Sequence, residues 1–185
     1  FPDLKTVIVG LQRGDEMIIP KSNEKLIIGD IAYLVCPSEL SRRAVSIFGH
    51  PEKEARKVVL VGGGSVGSEV ASLINTMADK INLTVIENNE INASTLSDKY
   101  NDITVLNGSG IDREILHEAD IENTETLVSL TDSDEVNFLS AAFSSSEGCK
   151  KSLALLNTSD FQSLIMSLKI GEFIDPKAIT ISTKS

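Results

Sequence analysis

The chain has 185 residues, of which 41% are hydrophobic and 24% are charged, a balance typical of a globular protein. This length suits one ordinary domain with an appendage, or two small domains. The net charge of −10 would repel a phosphate backbone and argues against nucleic-acid binding. No apolar run approaches the roughly 20 residues that span a bilayer. No signal peptide is apparent, and the start at Phe1 rather than methionine fits an expressed fragment.

Residues 1–50 predict a small, truncated α+β domain. Short β-type runs at 4–9, 16–19 and 31–35 are separated by turns, and a short helix follows Pro37. A unit of this size has a marginal core, so we expect it to be truncated or to dimerise. Residues 51–56 predict a linker. The isolated cysteines Cys36 and Cys149 predict buried free thiols in a reducing cytoplasm.

Residues 57–185 change to alternating strands and helices, which predicts a Rossmann-like, doubly wound parallel sheet of the α/β class. Predicted strands cover 58–61, 83–86, 103–106, 126–130 and 153–156, with an edge strand at 173–174. Predicted helices follow the glycines after the first strand and cover 90–100, 112–116, 134–144 and 160–169. In the helix over 134–144, the pattern places Val136, Leu139, Ala142 and Phe143 on the buried face.

A glycine loop follows the first of these strands. Gly62, Gly64 and Gly67 have the G-x-G-x-x-G spacing, and Ser65 and Val66 lie between them. Gly62 permits the tight turn, Gly64 lets the backbone approach a pyrophosphate, and Gly67 lets the next helix pack on the strand. The helix N-terminus then offers N–H groups and a positive dipole end to phosphates.

An acidic residue ends the second strand of this region. Glu87 lies 20 residues after Gly67, where a carboxylate can accept hydrogen bonds from a ribose 2′-OH and repel a 2′-phosphate. The alternative is that Glu87 ends a strand in solvent and that the glycines only make a tight turn.

Three further loops follow strand ends, where ligands bind in such sheets. Asn88 adjoins Glu87, and Asn107, Gly108 and Ser109 would flank an adenine. Thr131 and Asp132 would lie beside the phosphates or the second half of a dinucleotide. All of these are also ordinary turn residues, so a structural role remains the alternative.

Catalytic groups are scarce in the sequence. His50 lies in a linker-like stretch, and His117 lies near the end of a short helix, where the dipole explains it. The sequence has no nucleophile motif, metal-ligand cluster or P-loop lysine. The acidic run 132–135 could bind a divalent ion, but acidic residues are common at helix N-termini. A dinucleotide site without an acid, base or nucleophile favours a sensor over an enzyme.

Together these segments resemble the RCK (KTN) nucleotide-binding domain family. The resemblance lies in residues 58–67, 85–87, 107–112, 130–137 and 175–182. Residues 17–21 and 28–30 resemble the end of an RCK C-terminal domain. The implied order is a partial C-terminal domain (1–50), a linker (51–56) and a nucleotide-binding domain (57–185).

The resemblance implies a non-enzymatic, cytoplasmic protein peripheral to the inner membrane. Such domains bind NAD(H) or ATP/ADP, form dimers or tetrameric rings, and gate a membrane-embedded potassium channel subunit. Many members have a basic residue at the place of Ser65 and an aspartate at the place of Ser109, and some have an arginine at the place of Leu155. Their absence here favours NAD(H) over ATP. An NAD-dependent oxidoreductase and a scaffold with a vestigial pocket remain alternatives.

Overall fold

The chain forms two compact units, residues 1–54 and 55–185, in a computed structural model. The structure describes residues 5–14, 16–21, 23–37, 40–47, 55–77 and 81–177. The predicted linker at 51–56 and His50 lie mostly or wholly outside these residues.

The first unit contains a three-stranded antiparallel sheet in the order β2-β1-β3. Its elements are β1 (Val7–Arg13), β2 (Glu16–Ile18), β3 (Ile31–Val35) and α1 (Ser41–Ile47). Arg13 and Asp30 form a two-armed ion pair, with Nε to Oδ1 at 2.9 Å and Nη2 to Oδ2 at 2.8 Å. The hydrogen bonds from Arg13, aided by the Ile27 N–H, lower the pKa of Asp30 to about 2. The predicted small α+β unit is confirmed.

One face of this sheet is apolar and exposed. Its side chains alternate along β1 and β3, as expected for one face of a pleated sheet, and they are Val7, Val9, Ile31, Tyr33 and Val35. Leu11 and Ala44 are almost fully buried. The contrast fits the predicted marginal core of so small a unit.

The second unit is a six-stranded parallel sheet with flanking helices. Its strands are β4 (Lys57–Val61), β5 (Asn82–Glu87), β6 (Thr104–Asn107), β7 (Thr126–Ser129), β8 (Lys151–Leu155) and β9 (Glu172–Ile174). Its helices are α2 (Ser65–Asn75), α3 (Glu90–Lys99), α4 (Arg113–Glu118), α5 (Asp134–Ser146) and α6 (Ser159–Leu168). A short 3-10 helix over Ile121–Asn123 was not predicted from the sequence.

The strand order is β6-β5-β4-β7-β8-β9, with every pairing parallel. The chain builds outward from β4 to β6, then returns to the other side of β4 and continues to β9. The topological switch point therefore lies between β4 and β7. In doubly wound sheets, ligands bind in the crevice above this point. The predicted doubly wound fold is confirmed, including β9 as an edge strand.

The central strands are buried on both faces. Val58 and Leu60 pack in one cluster with Ala71 of α2 and Leu96 of α3, whereas the alternate residues Val59 and Val61 pack in a second cluster with Leu116 of α4. A run of β-branched residues is what such a doubly covered strand requires.

The buried face of helix α5 differs from the predicted one. The predicted residues of its buried face, Val136, Leu139, Ala142 and Phe143, are only half-buried. The buried residues of α5 are Asp134, Asn137, Phe138, Ser140, Ala141 and Ser144. Asp134, Asn137 and Ser144 find hydrogen-bond partners inside the protein, so they occupy positions that a purely hydrophobic pattern assigns to solvent.

No helix in the described part of the chain is long and apolar enough to cross a bilayer. Both cysteines are free, as predicted, but only Cys149 is buried and Cys36 is half-exposed. Burial raises the pKa of the Cys149 thiol.

Candidate functional site

A cavity of about 810 Å³ lies over the carboxyl ends of the central strands in the second unit. This volume is within the usual range for small-molecule sites. Its lining comes from four loops and the starts of the helices that follow them: 61–66, 86–92, 108–110 and 130–136, with Leu155 and Asn157 from the end of β8. The cavity therefore occupies the switch point that the strand order defines.

The three glycines of the first loop have different surroundings. Gly62 has φ +98°, a conformation that side chains rarely adopt, so the turn out of β4 requires glycine. A Cβ on Gly67 would lie 1.8 Å from the carbonyl oxygen of Gly62, so the helix can approach the strand only without a side chain. A Cβ on Gly64 would meet nothing within 4 Å, and the space beside this residue belongs to the cavity.

The N-terminus of α2 faces the cavity without a side-chain cap. Its N-cap residue, Gly64, makes no side-chain hydrogen bond, and its first turn contains no acidic residue. By contrast, the side chains of Asn89, Asp112 and Ser133 cap α3, α4 and α5. The first N–H groups of a helix have no partner within the helix. The α2 terminus can therefore donate hydrogen bonds to an anion, and the open space at Gly64 fits a pyrophosphate.

Glu87 is buried and already holds two loops together. Its Oε2 accepts a hydrogen bond from the N–H of Gly63, and its Oε1 accepts one from the N–H of Asn89 at 2.7 Å. The side chain is only 8% exposed, so the alternative of a strand end in solvent is wrong. A carboxylate has about four lone-pair sites. Two internal bonds thus fix its orientation and leave acceptor capacity for ribose hydroxyls.

The loop after β6 is fixed by backbone packing. Asn107 points its Nδ2 at the carbonyl oxygen of Glu87, at 2.9 Å, and so ties β6 to β5. A Cβ on Gly108 would lie 2.7 Å from Ile115, and one on Gly110 would lie 2.2 Å from Val61. These small residues allow the loop to lie close to the sheet, and Ser109 lines the cavity beside them.

Asn137 organises the opposite half of the rim and was missed as a site residue. Its side chain is fully buried, and its Oδ1 accepts from Ser129 Oγ (2.9 Å), Thr131 N (2.8 Å) and Thr131 Oγ1 (2.7 Å). Its Nδ2 donates to the carbonyl oxygens of Thr131 and Leu155. One amide therefore joins the ends of β7 and β8. Thr131 lines the cavity, but its hydroxyl also belongs to this network.

Asp134 fastens the same half of the rim to the loop after β8. Its carboxylate accepts hydrogen bonds from the N–H and Nδ2 of Asn157 and from the N–H and hydroxyl of Thr158, all between 2.8 and 3.0 Å. Burial raises the pKa of Asp134, but these hydrogen bonds outweigh burial and hold the pKa below its ordinary value. Asp134 is therefore ionised at neutral pH, and its role is structural.

The structure brings most of the predicted residues together. Gly67, which is buried, and Asn107, which is exposed, do not line the cavity. The other predicted residues do: Gly62, Gly64, Ser65, Val66, Glu87, Asn88, Gly108, Ser109, Thr131 and Asp132. The lining also includes residues that were not predicted as site residues, among them Asn92, Val136 and Asn157. Val136 lies within the segment 130–137 that carries the family resemblance, whereas Asn92 and Asn157 lie outside such segments. Asn157 follows a strand too far along the chain for the glycine pattern to mark it.

The described lining contains two carboxylates, Glu87 and Asp132, and no lysine, arginine or histidine. His117 is exposed on α4. Within the described residues, no group of His, Cys, Asp and Glu side chains is arranged to hold a metal ion. Of the acidic run, Asp134 binds Asn157 and Thr158, and Glu135 accepts from the hydroxyl of Ser133 at 2.9 Å.

Sequence relatives carry a common name. The chain is 34% identical over 182 residues to the Trk system potassium uptake protein TrkA of Azorhizobium caulinodans, covering 98% of this chain and 40% of the relative. It is 28% identical over 183 residues to TrkA of Halomonas elongata, covering 99% of this chain and 39% of the relative. The chain thus spans about two fifths of the length of these curated relatives.

Solved structures share the fold at low identity. The TrkA-N domain of the inner membrane protein ybaL from Escherichia coli matches 71% of this chain and 96% of its own, with a TM-score of 0.62 and 19% identity. The GsuK RCK domain matches 92% of this chain and 36% of its own, with a TM-score of 0.59 and 15% identity. Residues 58–176 match the TrkA-N domain family. The resemblance drawn from the motifs is thereby confirmed, and the chain belongs to the TrkA-N domain family.

Proposed function

We propose that this chain is part of a cytosolic regulatory subunit of a Trk-type potassium uptake system that binds NAD(H) or an adenine nucleotide. The observation that carries the proposal is an open cavity at the switch point, in a chain that aligns over nearly its whole length with proteins named TrkA. Residues 1–50 would be the end of one RCK C-terminal domain, residues 51–56 a linker, and residues 57–185 the next nucleotide-binding domain.

A dinucleotide suits the donors and acceptors of the cavity. The uncapped end of α2 and the open space at Gly64 suit a pyrophosphate. The fixed carboxylate of Glu87 suits ribose hydroxyls and would repel a 2′-phosphate. No described lining residue carries the positive charge that a triphosphate would need. We therefore favour NAD(H) over ATP and ADP.

The same lining supports a role without catalysis. Hydride transfer to most substrates requires a proton donor or acceptor near the reacting carbon. The titratable side chains among the described lining residues are Glu87, which is held by two N–H groups, and Asp132. This inventory supports a binding module over the alternative of an NAD-dependent oxidoreductase.

In the proposed role, nucleotide binding shifts a conformational balance. A ligand that binds two arrangements with different affinity moves their equilibrium by that difference. The partner would be the membrane-embedded Trk channel subunit, with the regulatory protein at the cytoplasmic side of the inner membrane as a dimer or a tetrameric ring. The net charge of −10 argues against nucleic acid as a partner.

One observation favours a second candidate, a scaffold with a vestigial pocket. Glu87 already satisfies the N–H groups of Gly63 and Asn89, so its carboxylate would be needed for folding even if no ligand were bound. Replacement of Glu87 by alanine would therefore disturb both fold and binding and could not separate the two candidates.

The distinguishing experiment is a calorimetric titration of the chain with NAD⁺, NADH, ADP and ATP. The proposal predicts saturable binding of a dinucleotide and weaker binding of ATP. Absence of binding by all four ligands would support the scaffold instead.

A second experiment tests the transport role. A protein that contains this chain is expressed in cells that lack their own TrkA, and rubidium uptake through the Trk channel subunit is measured. We expect uptake to depend on the protein and to change with Gly64→Ala. Uptake that is identical with and without the protein would contradict the regulatory role.

A further inference from the structure

The cavity has one carboxylate on each side of the α2 N-terminus. Glu87 lies at the end of β5, beside Asn88 and the loop after β6. Asp132 lies across the switch point, in the loop after β7. The N-terminus of α2 lies between them, because α2 follows β4 and β4 pairs with both β5 and β7. Each half of the cavity therefore has its own carboxylate, on either side of the phosphate-binding helix end.

This order places the two halves of a dinucleotide. If the pyrophosphate binds at Gly64 and the adenosine ribose at Glu87, the second nucleoside must lie over β7 and β8. The lining there is Leu130, Val136 and Leu155, with Asn157 and Asp132 at the rim. The apolar residues suit a flat ring, and Asp132 is the carboxylate of this half.

Asp132 is available to a ligand. Its side chain is exposed, and it makes no hydrogen bond or ion pair with the described part of the chain. Its neighbours Thr131, Ser133 and Asp134 are all held by internal hydrogen bonds, so they fix the loop that carries it. The charge therefore lies at a defined place on the rim.

We propose that Asp132 is a specificity residue that makes this cavity favour NAD⁺ over NADH. The inference rests on the proposed binding of a dinucleotide. The oxidised nicotinamide ring carries a positive charge and the reduced ring carries none, while the rest of the molecule is the same. A carboxylate beside the ring attracts only the oxidised form. The second carboxylate, Glu87, also disfavours the form with the greater net negative charge.

The ammonium group of Lys177 lies near the β7–β8 half of the cavity, outside the lining. The Nζ of Lys177 donates to the carbonyl oxygen of Asn157 at 3.1 Å, and the N–H of Lys177 donates to Asp175 at 2.8 Å. Asp132 and Asp134 follow β7 and Asp175 follows β9, at the same edge of the sheet, so carboxylates still outnumber this ammonium group. The local field remains negative, and Lys177→Met should increase the preference for NAD⁺.

The test is a calorimetric titration of the 185-residue chain with NAD⁺ and with NADH, at low ionic strength, for the wild type, Asp132→Asn and Glu135→Gln. Glu135→Gln removes the same charge three residues away, at a position outside the lining. We expect NAD⁺ to bind about 1.4- to fivefold more tightly than NADH, which is the range that corresponds to the roughly 0.2–1 kcal/mol of an exposed ion pair. Asp132→Asn should lower this ratio toward one, and Glu135→Gln should leave the ratio unchanged.

The outcomes separate this inference from the proposed function. Equal affinities in the wild type, tighter binding of NADH, or a ratio unchanged by Asp132→Asn would overturn the inference while dinucleotide binding stands. Failure of both dinucleotides to bind would overturn the proposed function as well. High salt should reduce the preference, because the Debye length falls to about 3 Å at 1 M.

Discussion

The two halves of the cavity rim are built in different ways. On the β4–β5 side, glycines and one carboxylate at fixed spacing shape the loops through the backbone, as at Gly62, Gly67 and Glu87. On the β7–β8 side, buried side chains of α5 hold the loops, as at Asn137 and Asp134. The first half depends on where side chains are missing, and the second depends on where polar side chains are buried.

The largest effect should come from the backbone-built half. Gly67→Ala places a Cβ 1.8 Å from the Gly62 carbonyl oxygen, so either the helix or the turn must move. We expect a loss of about 3 kcal/mol or more in the free energy of unfolding, measured by chemical denaturation. Unchanged stability would show that α2 does not pack against β4 as described.

The next effect should come from the side-chain-built half. Asn137→Ala removes five hydrogen bonds at a fully buried site. The N–H of Thr131 and the carbonyl oxygen of Leu155 then lose their partner in the Asn137 side chain. We expect a loss of about 2–3 kcal/mol by chemical denaturation. The matched control is Asn123→Ala, since Asn123 is exposed and donates to Asp120 at 2.7 Å. Equal losses in the two variants would contradict the network.

Acid should weaken the same half of the rim. The pKa of Asp134 is lowered in the folded protein, so its ionised form stabilises the fold above the ordinary pKa of 3.8. That contribution is lost as the pH falls through the folded value. Asp134→Asn should lower the free energy of unfolding by about 2 kcal/mol at pH 7. Between about pH 5 and pH 3, the variant should then lose less stability than the wild type does. Other carboxylates are common to both proteins and cancel in the difference.

A parallel pH dependence in the wild type and in Asp134→Asn would contradict the ionised role. The measurement is the free energy of unfolding at each pH, from denaturant titrations followed by circular dichroism.

The difference between the halves also explains what the sequence could predict. Short-range spacing marked Gly62, Gly64, Gly67 and Glu87. The tight turn, the close approach of helix and strand, and the strand end each require a particular residue type, and all of these residues lie within one βαβ unit. The parallel sheet followed from strand and helix alternation for the same reason. These signals are local, and they led to the cavity.

Contacts between distant loops left no such signal. Asp134 binds Asn157 and Thr158, 23 and 24 residues away. In the sequence, an aspartate at a helix start looks like an ordinary N-terminal residue. Asn137 looks like a solvated side chain, so the buried face of α5 was assigned to the wrong residues. Glu87 was found, but its bonds to Gly63 and Asn89 depend on a loop conformation that its position does not reveal.

The central claim is that the open space at Gly64 receives the phosphates of a dinucleotide. The direct test is a calorimetric titration of NAD⁺ into the wild type and Gly64→Ala, with Ser68→Ala as a control one turn along α2. Gly64 has φ −66° and an added Cβ meets no atom within 4 Å, so Gly64→Ala should fold as the wild type does.

The account predicts saturable binding to the wild type and to Ser68→Ala, and binding to Gly64→Ala that is weaker by about tenfold or more at unchanged thermal stability. Equal affinity for all three proteins would contradict it, and so would the absence of binding to the wild type.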